Sequence, residues 1–467
     1  MDSSIAIVGM SCRFAGCASP SSLWNAIMCS KSMLTVPGAD TELPNGAKKL
    51  FDKPYPCRVG QLGELFSCVQ AMQNFPRQIN AGENQDLYFA TQLAFDALGD
   101  ARMRPHMREM VRGTVRLGYA PPFNASTVNW LQHTSFLDQT IDILRRFLPN
   151  APDTALEEVR EKLAESLPVP NAASFLLGSG FRFVSWIARE CSFAGAATIL
   201  DAGNLTGAAA IMEAMRDLRS GDADVALAGA VTSPLSRAYI EGLSGITRFT
   251  SKPVLEPFSQ DSDGTIPGEG GAFFVLKRRE DALRDHDRIY ALVRSVAIGH
   301  NPEGDGSRMM DQAMRRLGIE PRTIGLIEAD GSGIPGPEAR EIAAIQKLWG
   351  EHHPGGPLVG VGSIKGNIGH TMKAAMAASV VKAALALKNR VIPPQIAPER
   401  PLEALSNLSS SAYLALEPRP WLTCDSASPR RALVLADNFD PTESIGDASR
   451  GGRSAAIVLE EEPDNRK

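Results

Sequence analysis

Thr198–Val231 reads TILDAGNLTGAAAIMEAMRDLRSGDADVALAGAV, and its hydrophobic periodicity changes twice. Apolar Ala197–Leu200 predicts a short buried strand, which Asp201-Ala202-Gly203-Asn204 breaks. From Leu205 the apolar positions recur at helical spacing, at Leu205, Ala208, Met212, Met215 and Leu218. Ser220-Gly221-Asp222 ends that helix, and Val225–Gly229 predicts a second buried strand. Strand, sharp turn, helix, strand is an arrangement in which α/β enzymes present a nucleophile. The residue at the helix mouth meets unpaired N–H groups and the positive end of the dipole, which favour a thiolate or an oxyanion. Here that residue is Asn204, and an amide is not an activated nucleophile.

The 467 residues have room for two or three domains, or for one large α/β unit of two halves. With 43% hydrophobic and 22% charged residues, the composition is that of an ordinary soluble globular protein. A net charge of −5 and the lack of a basic stripe give nucleic acid no footing. The seven cysteines, at 12, 17, 29, 57, 68, 191 and 424, are odd in number and show no CxxC or Cys/His ligand spacing. They point to reduced thiols in a cytoplasm, with no metal centre and no disulfide frame. The opening MDSSIAIVGM has neither a basic leader nor a long apolar run, so neither secretion nor membrane insertion is expected.

Outward from the opening stretch, Ile5–Gly9 predicts a buried strand, and IAIVGMSCRFAG is followed by SPSSLWNAI. Residues 31–80 are rich in Pro, Gly and polar side chains and read as a surface excursion. Asp86–Ala101 predicts an amphipathic helix with Phe89, Leu93 and Leu98 inward. Thr127–Leu148 and Asp153–Leu167 predict two more helices; His133, in the first, reads as structural or surface. Beyond the opening stretch come Gly242-Leu243-Ser244-Gly245-Ile246, then Asp263-Gly264-Thr265-Ile266-Pro267-Gly268-Glu269-Gly270-Gly271, and strands at Ala272–Lys277 and up to Val296. Further on stand Ile327-Glu328-Ala329-Asp330-Gly331-Ser332-Gly333-Ile334-Pro335 and VGSIKGNIGHTMKAA, Val361–Ala375, before a small-residue helix Ala374–Leu387.

These segments, in this order, resemble the β-ketoacyl synthases of polyketide and fatty-acid biosynthesis over nearly the whole chain. The resemblance implies a thiolase-like α/β fold: two βαβαβαββ halves stacked as α-β-α-β-α layers. Residues 1–250 would form the first half, with a helical insertion at about 100–175 similar to that of iterative synthases, and 251–467 the second. It also implies roles for single residues. Asn204 occupies the place of the condensing cysteine, and Asp330 that of the first catalytic histidine. His370 keeps the second histidine, with Lys365 in its motif, and Glu341 matches the family's glutamate although the loop before it is one residue short. Of the two threonines that hold the phosphopantetheine arm of a carrier protein, one has become Ser332 and the other Ile334; a serine still donates a hydrogen bond and an isoleucine does not. Of the glycine-rich gate with its two phenylalanines, only Gly451 and Gly452 survive.

Condensation requires a thiolate to hold the acyl chain, and imidazoles to decarboxylate malonate and stabilise the enolate. Asn204 removes the first, and Asp330 puts an anion where a neutral donor belongs. The expectation is a ketosynthase-like unit without independent condensing activity and without a bound cofactor. Like a chain-length factor, it would pair with an active ketosynthase and meet an acyl carrier protein. Two alternatives stand: a malonyl-carrier-protein decarboxylase or acyl transferase built on His370, and a homodimeric structural or docking subunit. The family's decarboxylating variants keep both histidines, which counts against the first. The edge of Ala197–Leu200 is the expected dimer contact. Asp330, Lys365 and His370 are expected to converge beside Asn204. Asp330 would accept hydrogen bonds from His370, Lys365 or Asn204, Lys365 would also reach Glu341, and the carboxylate would raise the pKa of His370.

Overall fold

A computed structural model describes residues 4–37, 55–63, 85–103, 110–119, 125–167, 169, 180–232, 235–300, 306–350, 358–406, 411–423, 428–438 and 452–463. Its strands are β1 (Ile5–Phe14), β2 (Gly113–Gly118), β3 (Ala197–Leu200), β4 (Val225–Thr232), β5 (Gly270–Arg278), β6 (Ala291–His300), β7 (Leu326–Glu328), β8 (Val359–Gly362), β9 (Val391–Ile392), β10 (Ala412–Leu414), β11 (Arg419–Pro420), β12 (Arg431–Asn438) and β13 (Arg453–Glu460). Its main helices are α1 (Pro20–Met28), α2 (Gln85–Asp100), α3 (Ala125–Leu131), α4 (Leu137–Phe147), α5 (Asp153–Glu165), α6 (Gly180–Glu190), α7 (Thr206–Ser220), α8 (Arg237–Ile246), α9 (Arg279–Arg284), α10 (Ser307–Arg315), α11 (Pro335–Ile345), α12 (Lys365–Ile368) and α13 (Ala375–Asn389).

Among the described residues, eleven strands form one sheet in the order β10-β8-β7-β12-β13-β6-β1-β5-β4-β2-β3. The order contains a repeat. In the first half β2 lies parallel between β3 and β4, and β5 runs antiparallel between β4 and β1. In the second half β7 lies parallel between β8 and β12, and β13 runs antiparallel between β12 and β6. The halves join where β1 pairs antiparallel with β6, Ile5 opposite Val293. This pairing pattern moves the expected division at 250/251. β5 starts at Gly270 but bonds to β1 and β4, so the sheet divides between Arg278 and Ala291.

Two helices lie in the middle. α13 is buried at every position from Ala375 to Leu387, because its alanines allow sheet and helix to approach on all sides. α7 crosses it so closely that a Cβ on Gly207 would stand 2.9 Å from the backbone nitrogen of Ala377. Leu205, Ala208, Ile211 and Met215 of α7 share one core with α13 and strands of both halves. A second core lies under α2 and α6 on the first half, and a third under α10 and α11 on the second. The α7–α13 pair between the two halves of the sheet, with α2 and α6 outside one half and α10 and α11 outside the other, gives the layering expected of the thiolase type.

The helical insertion is present as α3, a π turn at Gln132–Phe136 that carries partly exposed His133, α4 and α5. Its buried seam is narrow. Leu137, Ile141 and Leu156 are buried, whereas Leu148, Val159 and Leu163 are substantially exposed. Of residues 31–80, 38–54 and 64–80 lie outside the described residues, and the rest are not only a surface excursion. Val59 pairs with Thr35 and Gly60 with Gly268, and Val59 and Leu62 are buried. No helix among the described residues is long and apolar enough to cross a membrane.

Candidate active site

The turn at Asn204 is built as its sequence demands. Gly203 has φ +60°, and a Cβ there would lie 2.5 Å from the Asn438 amide, so both conformation and space call for glycine. The Thr206 hydroxyl ties the turn, accepting the Ala202 N–H at 2.9 Å and donating to the Gly203 carbonyl at 2.6 Å. Leu205 caps α7, which places Asn204 one residue outside the helix mouth. Its side-chain amide donates to the Asp437 carbonyl at 3.3 Å. Asn204 thus lies against the end of β12, and of the three donors expected for Asp330 it is Lys365, not Asn204, that reaches the carboxylate.

Asp330 follows β7 and is 2% exposed. Its carboxylate pairs with the Lys365 ammonium at 2.8 Å, and Lys365 also donates to the Asp330 carbonyl. Lys365 does not reach Glu341. The Glu341 carboxylate is occupied by the turn itself, accepting the Asp330 N–H at 2.6 Å and the Gly331 N–H at 3.0 Å. Glu338, one helical turn earlier on α11, holds the other end of the loop, accepting the Gly333 N–H at 2.7 Å and the Phe258 N–H at 3.0 Å. Burial pushes Glu341 well above the ordinary carboxylate range, and the charges of Asp330 and Asp437 add to it. Glu338 is pushed up to about 7, again first by burial.

Asp437 is the site residue that the sequence did not reveal. It is 8% exposed, and burial followed by the charge of Asp330 raises it to about 7. Asp330, Glu341 and Asp437 therefore crowd together, with Lys365 paired to Asp330 and Arg340 acting on Asp437. Under burial and this crowding, Glu341 and Asp437 hold their protons to higher pH than free carboxylates do.

His370 behaves in the opposite sense to the expected one. Burial lowers it to about 3; the Lys365 ammonium adds to that, and the nearby Asp330 carboxylate does not compensate. Its Nδ1 accepts the Met372 N–H at 3.0 Å, so the neutral ring carries its proton on Nε2. The backbone fixes the residue on both sides, with the His370 N–H donating to Ile266 at 2.7 Å and its carbonyl accepting from Gly268 at 2.8 Å. The ring is thus a fixed hydrogen-bond donor and a weak base. Deeper still, Glu328 and Lys382, both fully buried, pair at 2.6 Å and anchor β7 to α13.

Ser332 is 1% exposed, and its hydroxyl has no hydrogen-bond partner among the described residues. Ile334 caps α11 through its backbone alone. Gly452 immediately precedes β13, while Gly451 lies outside the described residues. Among those residues, no group of three or more His, Cys, Asp and Glu side chains is arranged to hold a metal ion.

Comparison with known families decides the identity. The β-ketoacyl synthase N-terminal domain matches residues 2–132 and 161–282, and the C-terminal domain matches 293–399. The chain belongs to the β-ketoacyl synthase family. The family models divide the chain between 282 and 293, where the sheet divides, and they leave 133–160, which carries α4 and the first part of α5, unmatched. A mycocerosic acid synthase-like polyketide synthase of Mycolicibacterium smegmatis is 28% identical over 99% of this chain and 20% of its own length. Methylphloroacetophenone synthase of Cladonia uncialis is 28% identical over 98% of the chain and 16% of its own. The chain thus spans a fifth or less of these relatives. Among solved structures, the module 6 ketosynthase of the Bacillus subtilis bacillaene synthase superposes with a TM-score of 0.76 at 21% identity, covering 98% of this chain and 72% of its own. The PfaC keto synthase–chain length factor superposes with a TM-score of 0.76 at 22% identity, covering 99% of this chain and 48% of its own. At such identities the superpositions establish the thiolase-like fold.

Proposed function

We propose that this chain is a ketosynthase-fold unit without condensing activity of its own. It pairs with a cysteine-bearing ketosynthase, in the manner of a chain-length factor, in polyketide or polyunsaturated-fatty-acid-type biosynthesis. One observation carries the reading: the residue at the mouth of α7 is an amide engaged with the Asp437 carbonyl, with no thiol in its place. The Asp330–Lys365 pair supports it, because a carboxylate held in the pocket repels both a malonyl carboxylate and the enolate. The PfaC keto synthase–chain length factor is about twice the length that this chain covers.

The half-exposed edge strand β3 is the proposed contact between such units, and either a ketosynthase or a second copy would fit it. An acyl carrier protein would bring its phosphopantetheine arm to Ser332. The unpartnered, buried Ser332 hydroxyl suits that arm, whereas Ile334 offers it only apolar contact. Co-expression with the cysteine-bearing ketosynthase of the same synthase tests the pairing. A one-to-one complex is expected, and two species that never co-elute would refute it.

His370 sustains a second reading. A neutral imidazole with its proton on Nε2 is suited to stabilising the enolate formed by decarboxylation, so release of carbon dioxide from malonyl-carrier protein would favour a decarboxylase. Acyl transfer with His370 as base is disfavoured, since a group at about 3 accepts a proton poorly near neutral pH.

A further inference from the structure

α13 begins just after the His370 motif and carries its last turn about 22 Å away, at 1.5 Å per residue. There it meets the segments that precede β6 and follow β13, and a recess of about 380 Å³ opens between them. Arg288, Ile289, Tyr290, Leu387, Lys388 and Arg390 line it, with Glu461 beside Arg390. Ile289, Tyr290 and Leu387 are buried, while Arg288 and Lys388 are exposed. Arg390 reaches the recess from left-handed backbone, φ +57°, at a position where glycine would end the helix with less strain.

Two cations share one ring here. The Arg288 guanidinium and the Lys388 ammonium lie 4.5 and 4.3 Å from the centre of the Tyr290 ring. Partial burial, then the charge of Arg288, lowers the Lys388 ammonium below the ordinary lysine range, and Asp100 does not make up the difference. The neighbouring carboxylates are already engaged. Asp100 accepts from Arg288, from the Tyr290 hydroxyl and from the Met10 N–H. Glu461 pairs with both Arg390 and Arg430, and Asp287 with Lys277. Among the described residues, Lys388 makes no ion pair or hydrogen bond, and Arg288 donates from Nη2 alone. Arg288, Lys388, Arg390 and Arg430 set against Asp100 and Glu461 leave two positive charges in excess. The C-terminus of α13 contributes about half a negative charge and removes only part of that excess.

A carboxylate ligand would answer one of these charges, whereas a phosphate group carries about −1.5 to −2 and offers three acceptor oxygens. The unused donors suit it: the Lys388 ammonium, and the free Nε and Nη1 of Arg288, whose planar fork matches phosphate geometry. We propose that this recess binds a phosphate-type oxyanion, held between Lys388 and Arg288 with Arg390 beside them. The inference goes beyond the function proposed above and stands without it, because none of these residues belongs to the pocket around Asn204 or to β3.

Isothermal titration of the full chain with inorganic phosphate, at constant ionic strength, tests the site. Saturable binding of one phosphate per chain is expected, with acetate at least ~10-fold weaker. Lys388→Met should weaken phosphate at least ~10-fold, while Lys388→Arg, which keeps the charge, should bind within a few-fold of the wild type. Lys388 is exposed and unpaired, so the fold is expected to survive, and circular dichroism checks it. Arg308→Met, an exposed cation of α10, should bind as the wild type does, which separates a site from general attraction to surface charge. Glycerol 3-phosphate binding more tightly than phosphate would support a phosphate ester with its organic part against Ile289 and Leu387, and equal affinity would support the ion alone. Three results would overturn the proposal: no saturable binding up to ~10 mM phosphate, Lys388→Met binding like the wild type, or acetate matching phosphate.

Discussion

At the scale of single residues, the polar groups of the pocket are bound to one another and to backbone. His370 carries its proton on Nε2, Asn204 donates to the Asp437 carbonyl and Asp330 pairs with Lys365. Asn204→Cys alone is therefore expected to yield no condensing enzyme. Even with a dipole-assisted thiolate at the mouth of α7, the Asp330 carboxylate still opposes malonate and enolate. Mass spectrometry of products after incubation with acyl- and malonyl-carrier proteins checks this, and a β-ketoacyl product would assign Asp330 a different role. Lys365→Met should be costly. It leaves Asp330 buried and uncompensated beside Glu341 and Asp437, and loss of one partner of a buried pair costs about 3–5 kcal/mol. Urea unfolding measures it, and a loss below about 1 kcal/mol would contradict the weight given to this buried pair.

At the scale of elements, local pattern was legible and long-range partnership was not. The strand, turn and helix around Asn204 stand where their periodicity puts them, because Gly203, Thr206 and the buried face of α7 are all encoded within a few residues. Asp437 gave no such signal. It ends the apolar strand β12, and only sheet pairing brings it to Asn204 from 233 residues away. The pairing of Lys365 with Glu341 was misread for a related reason. Spacing places Glu341 beside the loop but cannot show that two backbone N–H groups already occupy its carboxylate. The contact of α7 with α13 was equally hidden, since Gly207 is unremarkable until Ala377 is set against it. Gly207→Val is expected to destabilise the fold by about 1–3 kcal/mol through overpacking of the two helices, as a shift in denaturant midpoint would show.

For the whole molecule, the buried carboxylates set a dependence on pH. Asp437, Glu338 and Glu269 are all raised to about 7 in the folded chain, from 3.8, 4.5 and 4.5. Between those values the folded state binds more protons than the unfolded one, so their contribution to stability falls as pH rises from about 4 to about 7. The expected outcome is a melting temperature higher near pH 5.5 than at pH 8, with a smaller difference in Asp437→Asn. A melting temperature that rises over that interval and is unchanged by the substitution would contradict the crowding described for the cluster. The central claim, that the fold is kept while covalent condensation is lost, is tested most directly by the mass of the intact protein after incubation with an acyl-carrier protein. The account predicts an unchanged mass, because Asn204 cannot take the acyl group. An acyl adduct mapped to a peptide spanning residues 198–216 would contradict it.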